Sequence, residues 1–203
     1  MLEAAAITKS FQGKHVLGPI DLRLDAGERL AVTGPNGAGK STLLRCIAGT
    51  LAPCSGAITV AGHRAGTQAA KRSIGVAFAQ ERAFYFRLSG TENLLTFAMV
   101  RLPSARARAA VKLVVSELEL EDIAARRLDR CSSGMVQQLA IARALLGAPS
   151  LLLLDEPTRS LDDRAVERLW AAMDRRPNMA LIIATHRRED VEQCQHHLAL
   201  AAG

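Results

Sequence analysis

Nine consecutive residues, Gly34-Pro35-Asn36-Gly37-Ala38-Gly39-Lys40-Ser41-Thr42, match the spacing G-x-x-x-x-G-K-[ST] at every fixed position. Glycines at these spacings let backbone N–H groups curl around phosphate oxygens, and a following helix start adds partial positive charge. Lys40 is expected on the outer phosphates and the Ser41 hydroxyl on Mg²⁺. Much later, the apolar run Leu151-Leu152-Leu153-Leu154 ends in Asp155-Glu156. An acidic residue closing a buried strand suits the metal, directly or through water, and the next carboxylate is placed to accept a proton from an attacking water or to orient it. Together the two stretches predict binding of a nucleoside triphosphate.

The elements that must position these groups follow from pattern. Residues 30–33 read as a strand and 41–48 as a helix, the setting that a phosphate loop requires. Strands are also expected at 2–8, 20–24, 57–60, 73–78, 150–154, 180–185 and 197–200, and residues 62–68 as a loop. Between residues 89 and 146 only helices are expected. Ser89-Gly90-Thr91-Glu92 has capping-box form before the run 93–100. Pro103 ends that helix, with Ser104 capping the next to about residue 118. Ser132-Ser133 precede an apolar-faced helix over 135–146, and helices are expected at 163–173 and 188–194. The order predicts an α/β core, a sheet flanked by helices with an N-terminal antiparallel strand region, and a helical subdomain inserted in sequence. Residues 1–80 and 148–203 form the core and 81–147 the insert of a single 203-residue domain.

Composition narrows the function classes. Hydrophobic residues make up 49% and aromatics only 3%, so the core must be aliphatic. No apolar run approaches the roughly 18 residues of a membrane span, and the N-terminus lacks signal-peptide form, so a cytoplasmic chain is expected. The net charge of +6 comes without interleaved aromatics for base stacking, so no nucleic-acid partner is expected. Cys46, Cys54, Cys131 and Cys194 form no C-x-x-C pair. Cys194-Gln195-His196-His197 lacks a second ligand pair at finger spacing.

With these motifs in this order, the chain resembles the nucleotide-binding subunit of ATP-binding-cassette (ABC) transporters, from residue 7 to at least 186. Within that family it looks most like the ABC-2-type exporters. The resemblance implies ATP with Mg²⁺. Ser132-Ser133-Gly134-Met135 occupies the place of the family signature, which would bind the γ-phosphate of ATP held by an opposite subunit. Cys131, Ser133, Met135, Val136 and Gln138 depart from its commonest form. Gln80 would contact Mg²⁺ and the attacking water, and His186 would hydrogen-bond the γ-phosphate. Ser160-Leu161-Asp162 matches the loop that touches the partner's phosphate loop, with Arg159 where a small residue is commoner. Phe11 stands where an aromatic stacks on adenine.

The implied assembly is a head-to-tail dimer, expected as a homodimer, with two ATP between subunits. A separate polytopic membrane subunit would dock between Gln80 and Leu88, placing the chain on the inner face of the cell membrane. There Phe84-Tyr85-Phe86 is either an exposed socket for a coupling helix or local core between lobes. The implied function is ATP hydrolysis powering export, with a mechanical ATPase acting on a membrane complex as the alternative. A soluble repair or translation ATPase is disfavoured, since the chain has neither a long coiled-coil insertion nor a second cassette.

Overall fold

The computed structural model describes residues 1–78 and 84–201. Among them the order is β1 (Leu2–Phe11), β2 (Lys14–Leu24), β3 (Arg29–Thr33), α1 (Lys40–Ile47), β4 (Ser55–Val60), β5 (His63–Arg64), α2 (Gln68–Arg72), β6 (Ile74–Ala77), α3 (Gly90–Arg101), α4 (Ser104–Glu117), α5 (Glu121–Ala124), a 3₁₀ turn (Leu128–Arg130), α6 (Ser133–Leu145), β7 (Leu151–Asp155), α7 (Asp163–Asp174), β8 (Ala180–Ala184), α8 (Arg188–Glu192) and β9 (His196–Ala199). The strands form two sheets. One is four-stranded and antiparallel, in the order β2-β1-β4-β5, and the other five-stranded, in the order β6-β7-β8-β3-β9. All pairings in the second are parallel.

The parallel sheet is buried on both faces, and period-two alternation divides its side chains between two cores. Leu152, Leu154, Leu181 and Ile183 face the cluster that holds the helices around Leu94, Val111 and Leu139. Leu151, Leu153, Ile182, Leu30 and Val32 face the cluster shared with α1 and the antiparallel strands. This explains why β7 and β8 read as unbroken apolar runs: every residue in both strands is buried.

Register decides where the site lies. Asp155 stands opposite Ala184, and Ala184 opposite Val32. Three strands therefore end at one level, and the loops after β3, β7 and β8 leave the sheet side by side. Parallel sheets place ligand sites at these carboxyl ends.

Several expected elements are sharpened or corrected. The loop expected at 62–68 contains β5, joined to β4 by a tight turn in which Ala61 and Gly62 both have positive φ, 51° and 77°, the conformation that matches hairpin twist. Helix α2 follows, capped by the Thr67 hydroxyl, which accepts from the Ala70 N–H at 3.3 Å. Ser104 does not cap α4. Pro103 holds the cap position and Ser104 is the first helical residue, with no side-chain cap bond. The Ser89–Glu92 capping box is formed: Ser89 N–H donates to Glu92 Oε2 at 2.7 Å and Glu92 N–H to Ser89 Oγ at 3.2 Å. The backbone bond, joined by the Ser89 hydroxyl, holds the Glu92 carboxyl below the usual carboxylate range.

The aromatic segment divides between the two readings. Phe84 is core: it meets Phe97 edge-on at 5.9 Å, and the Arg143 guanidinium stacks 4.8 and 4.9 Å from the two ring centroids. Tyr85 and Phe86 are half exposed, at 57% and 50%. Fully buried Asn93 fixes this geometry. Its carboxamide accepts from Tyr85 N–H at 2.8 Å and donates to the carbonyls of Tyr85 at 3.0 Å and Ser89 at 2.9 Å. Asn93→Ala leaves these groups without their side-chain partner, so it is expected to cost about 2 kcal/mol. Hydrogen exchange should show the Tyr85 amide losing protection before the strands do.

Candidate phosphate and hydrolysis site

The loop between β3 and α1 closes a cleft of about 540 Å³. Gly34, Pro35, Asn36, Gly37, Gly39, Lys40, Ser41 and Thr42 line it together with Asp155, Glu156, Arg159 and His186. Ala38, the one remaining residue of the nine, is buried and lines a neighbouring cleft with residues 15–21 and 198–201. Backbone geometry makes the cradle. Gly39 has φ 94°, and a Cβ there would lie 2.6 Å from Leu17 Cδ2 and 2.8 Å from the Val16 carbonyl. Its α-helix makes its first bond from Leu43 N–H to Gly39 C=O at 2.8 Å, so the N–H groups ahead of it are the unpaired donors of a helix start. Lys40 is buried at 8% exposure and donates to the Gly34 carbonyl at 2.7 Å and the Pro35 carbonyl at 3.2 Å. The loop thus holds a cation and a set of N–H donors around open space, which suits an anion.

Opposite the loop stand the acids. Asp155 ends β7 at 3% exposure. Glu156 has a left-handed backbone, φ 50°, a conformation that costs a non-glycine residue energy and clusters at functional sites. Its N–H is tied to the Ala184 carbonyl at 2.8 Å, which holds the turn against β8. Its Oε2 lies 2.6 Å from His186 Nδ1. One face thus carries a carboxylate and an imidazole in contact, next to a lysine-bearing anion cradle.

A buried network ties the two loops together. Asp190 Oδ2 accepts the hydroxyls of Thr158 at 2.6 Å and Thr185 at 2.7 Å. Thr185 Oγ1 in turn accepts Arg187 N–H at 3.1 Å, and Arg187 Nη1 donates to the Thr158 carbonyl at 3.2 Å. Thr158, Thr185 and Asp190 are at 0–1% exposure. Asp190 Oδ1 has no partner among the described residues. Asp190 therefore acts from below as a clamp on the segments carrying Glu156 and His186. Sequence reasoning missed it, because Glu189-Asp190 beside Arg187-Arg188 looks like an exposed charged helix.

The remaining candidates lie elsewhere. Ser132 caps α6, accepting Met135 N–H at 3.2 Å, and Ser132 and Ser133 are exposed. A Cβ on Gly134 would meet the Ser160 carbonyl at 2.4 Å, so the start of α6 packs directly on the segment after Arg159. Asp162 caps α7 through Ala165 N–H at 2.8 Å. None of Ser132, Ser133, Gly134, Ser160 and Asp162 lines the phosphate cleft of its own chain. Phe11, 46% exposed with Lys9 Nζ 5.1 Å from its ring centroid, lies outside that cleft too. Gln80 lies outside the described residues.

Residues 17–159 match the ABC transporter family. This chain belongs to that family. The Nod factor export ATP-binding protein I of Rhizobium meliloti (strain 1021) is 35% identical over 210 residues, covering 100% of this chain and 62% of that protein. A phosphonates import ATP-binding protein of Nocardia farcinica is 39% identical over 177 residues, covering 80% of this chain and 66% of that protein. The chain thus spans less than two thirds of the length of both relatives. Among solved structures, a dimeric bacterial ABC transporter cassette superposes with a TM-score of 0.91 at 24% identity, covering 100% of this chain and 95% of the other. Among the described residues of this family member, no helix is long and apolar enough to cross a membrane.

Nor do the described residues hold any group of three or more His, Cys, Asp or Glu placed for a metal ion. Ser41 and Asp155 are among the side-chain oxygens that line the cleft. Two protein oxygens suit a magnesium ion that arrives with phosphate oxygens and keeps its waters. The thiol of Cys194 is pushed up to about 11 by burial and donates to the Asp190 carbonyl at 3.5 Å, which makes it a packing residue.

Proposed function

We propose that this chain is the ATP-binding and ATP-hydrolysing subunit of a transporter. In this reading it dimerises around two ATP and powers export through a separate membrane subunit, from the inner face of the cell membrane. The observation that carries the hydrolytic part is the contact of Glu156 with His186 at the mouth of a cleft whose other wall is the lysine-bearing phosphate loop. Glu156 is the general base for the attacking water. His186 is held by that carboxylate, and its exposed ring reaches the outer phosphate. Lys40 leaves the two carbonyls it touches for the phosphates. Mg²⁺ would be held by Ser41 and Asp155, where it supplies charge neutralisation for the phosphates; Gln80 joins them by family resemblance.

The two-copy assembly rests on geometry. The start of α6 presents a serine hydroxyl and helix-start N–H groups, yet these do not line their own cleft. A second chain in head-to-tail arrangement brings Ser132, Ser133 and Gly134 to the nucleotide, with Ser160 and Asp162 at the same face. Phe11 stacks on adenine. Exposed Tyr85 and Phe86, held by Asn93, form the apolar part of the membrane-subunit contact. The residues form one cassette, residues 81–147 being the helical part. Export is favoured over import because relatives named for export match the whole chain.

The test is ATP turnover by the purified chain with Mg²⁺. Lys40→Ala is expected to lose ATP binding by at least about 100-fold, measured well below the variant's own unfolding temperature because the Gly34 and Pro35 carbonyls also lose a donor. Turnover that survives this substitution would remove the cleft from the reaction. Co-purification of a polytopic membrane protein from the source cells tests the transporter assignment.

A further inference from the structure

Arg159 is the cation of the phosphate cleft that hydrolysis by Glu156 leaves without a task. It lines the cleft with Lys40, Asp155, Glu156 and His186. It is exposed, and its own N–H turns back to the Glu156 carbonyl at 3.4 Å. Among the described residues, several arginines that stand beside acids hold them: Arg29 pairs with Asp174, Arg127 with Asp129, Arg168 with Glu119 and Arg188 with Glu192. Arg159 has Asp155 and Glu156 a few residues away and makes no ion pair or side-chain hydrogen bond among the described residues. Glu156 is engaged by His186 instead. Arg187, the neighbouring arginine on the β8 side, is anchored to the Thr158 carbonyl and to Glu189.

Charge bookkeeping gives the free guanidinium a purpose. Asp155 would be offset by the Mg²⁺ it helps to hold, which leaves Lys40 facing Glu156 and a polyanion. Arg159 adds a second fixed cation to that wall, and its guanidinium brings paired donors that match phosphate oxygens. We infer that Arg159 binds the outermost phosphate of the nucleotide in its own chain's cleft, as a second cation beside Lys40. The cleft thereby distinguishes a nucleoside triphosphate from a diphosphate. The inference rests on reading the cleft as a nucleotide site.

The experiment measures Kd for a non-hydrolysable ATP analogue and for ADP, both with Mg²⁺, on the full chain carrying Arg159→Ala or Arg159→Lys, with the unaltered chain alongside. Arg159→Ala is expected to weaken the triphosphate analogue about tenfold and ADP less than about twofold. Arg159→Lys should recover part of the loss, since it restores charge without the paired donors. The exposed side chain leaves no cavity, so the unfolding temperature should hold. Equal weakening of both nucleotides, or no weakening of either, overturns the inference while the cleft remains the nucleotide site. If the unaltered chain binds neither nucleotide, the reading of the cleft falls, and the inference with it.

Discussion

Glu156→Gln is expected to lower ATP turnover by about 10²–10⁴-fold while ATP affinity stays nearly unchanged. The amide keeps the shape of the side chain and can still accept a hydrogen bond from His186. It cannot take a proton from water. The strained backbone at φ 50° is the same in both residues, so unfolding should be unaffected. With hydrolysis blocked, the ATP-bound dimer should persist, and light scattering should find a species of twice the 21.7 kDa chain mass with Mg-ATP. Turnover at the unaltered rate would remove Glu156 as the base. Loss of ATP binding along with turnover would make it a structural residue of the cleft.

Asp190→Ala should be the most damaging substitution outside the cleft. It strands two buried hydroxyls, Thr158 and Thr185, whose shared acceptor is Asp190 Oδ2. Each stranded group costs about 1–3 kcal/mol, or about 2–6 kcal/mol for the two, and losing the unpartnered Oδ1 relieves part of this, for a net loss of about 2–4 kcal/mol. For a chain of this size that is a fall of roughly 4–16 °C in the unfolding midpoint. Turnover should fall further than stability explains, because the clamp joins the turn after β7 to the turn after β8. Asp190→Asn keeps one acceptor for the two threonines and should recover much of the stability. Measured well below its unfolding midpoint, Asp190→Ala with full turnover would show that the network only supports the fold.

Some of this was legible because it is local. The phosphate loop is a run of backbone conformations written in glycines, and its strand and helix neighbours carry their own periodicity. The Ser89 capping box and the Ser132 cap are bonds between residues three apart. The buried strand β7 betrays itself by four consecutive leucines ahead of Asp155. The elements that escaped are too short for periodicity: β5 has two residues, α2 five and α5 four.

What the site needs from tertiary structure was not legible at all. Asp190 meets Thr158 across 32 positions, and nothing around it distinguishes a clamp from a solvated helix charge. Asn93 sits inside a capped helix with Leu94 and Leu95 beside it and gives no sign that it holds the segment at Tyr85. Phe84-Tyr85-Phe86 could not be assigned as a block, because one ring enters a cage with Phe97 and Arg143 while its neighbours stay at the surface. Arg159 was visible only as a departure. Its meaning depends on register, which sets the turn after β7 against the phosphate loop.

The central claim is that each phosphate cleft is completed by Ser132–Gly134 of another copy. Lys40→Ala disables the cradle of one chain, and Ser132→Asp disables the anion-binding helix start of the other while keeping an N-cap oxygen for α6. Each variant alone should hydrolyse almost no ATP. Mixed in equal amounts, they form heterodimers in which an intact cradle faces an intact helix start. The account predicts turnover in the mixture well above the sum of the two variants measured separately. Turnover equal to that sum would contradict it.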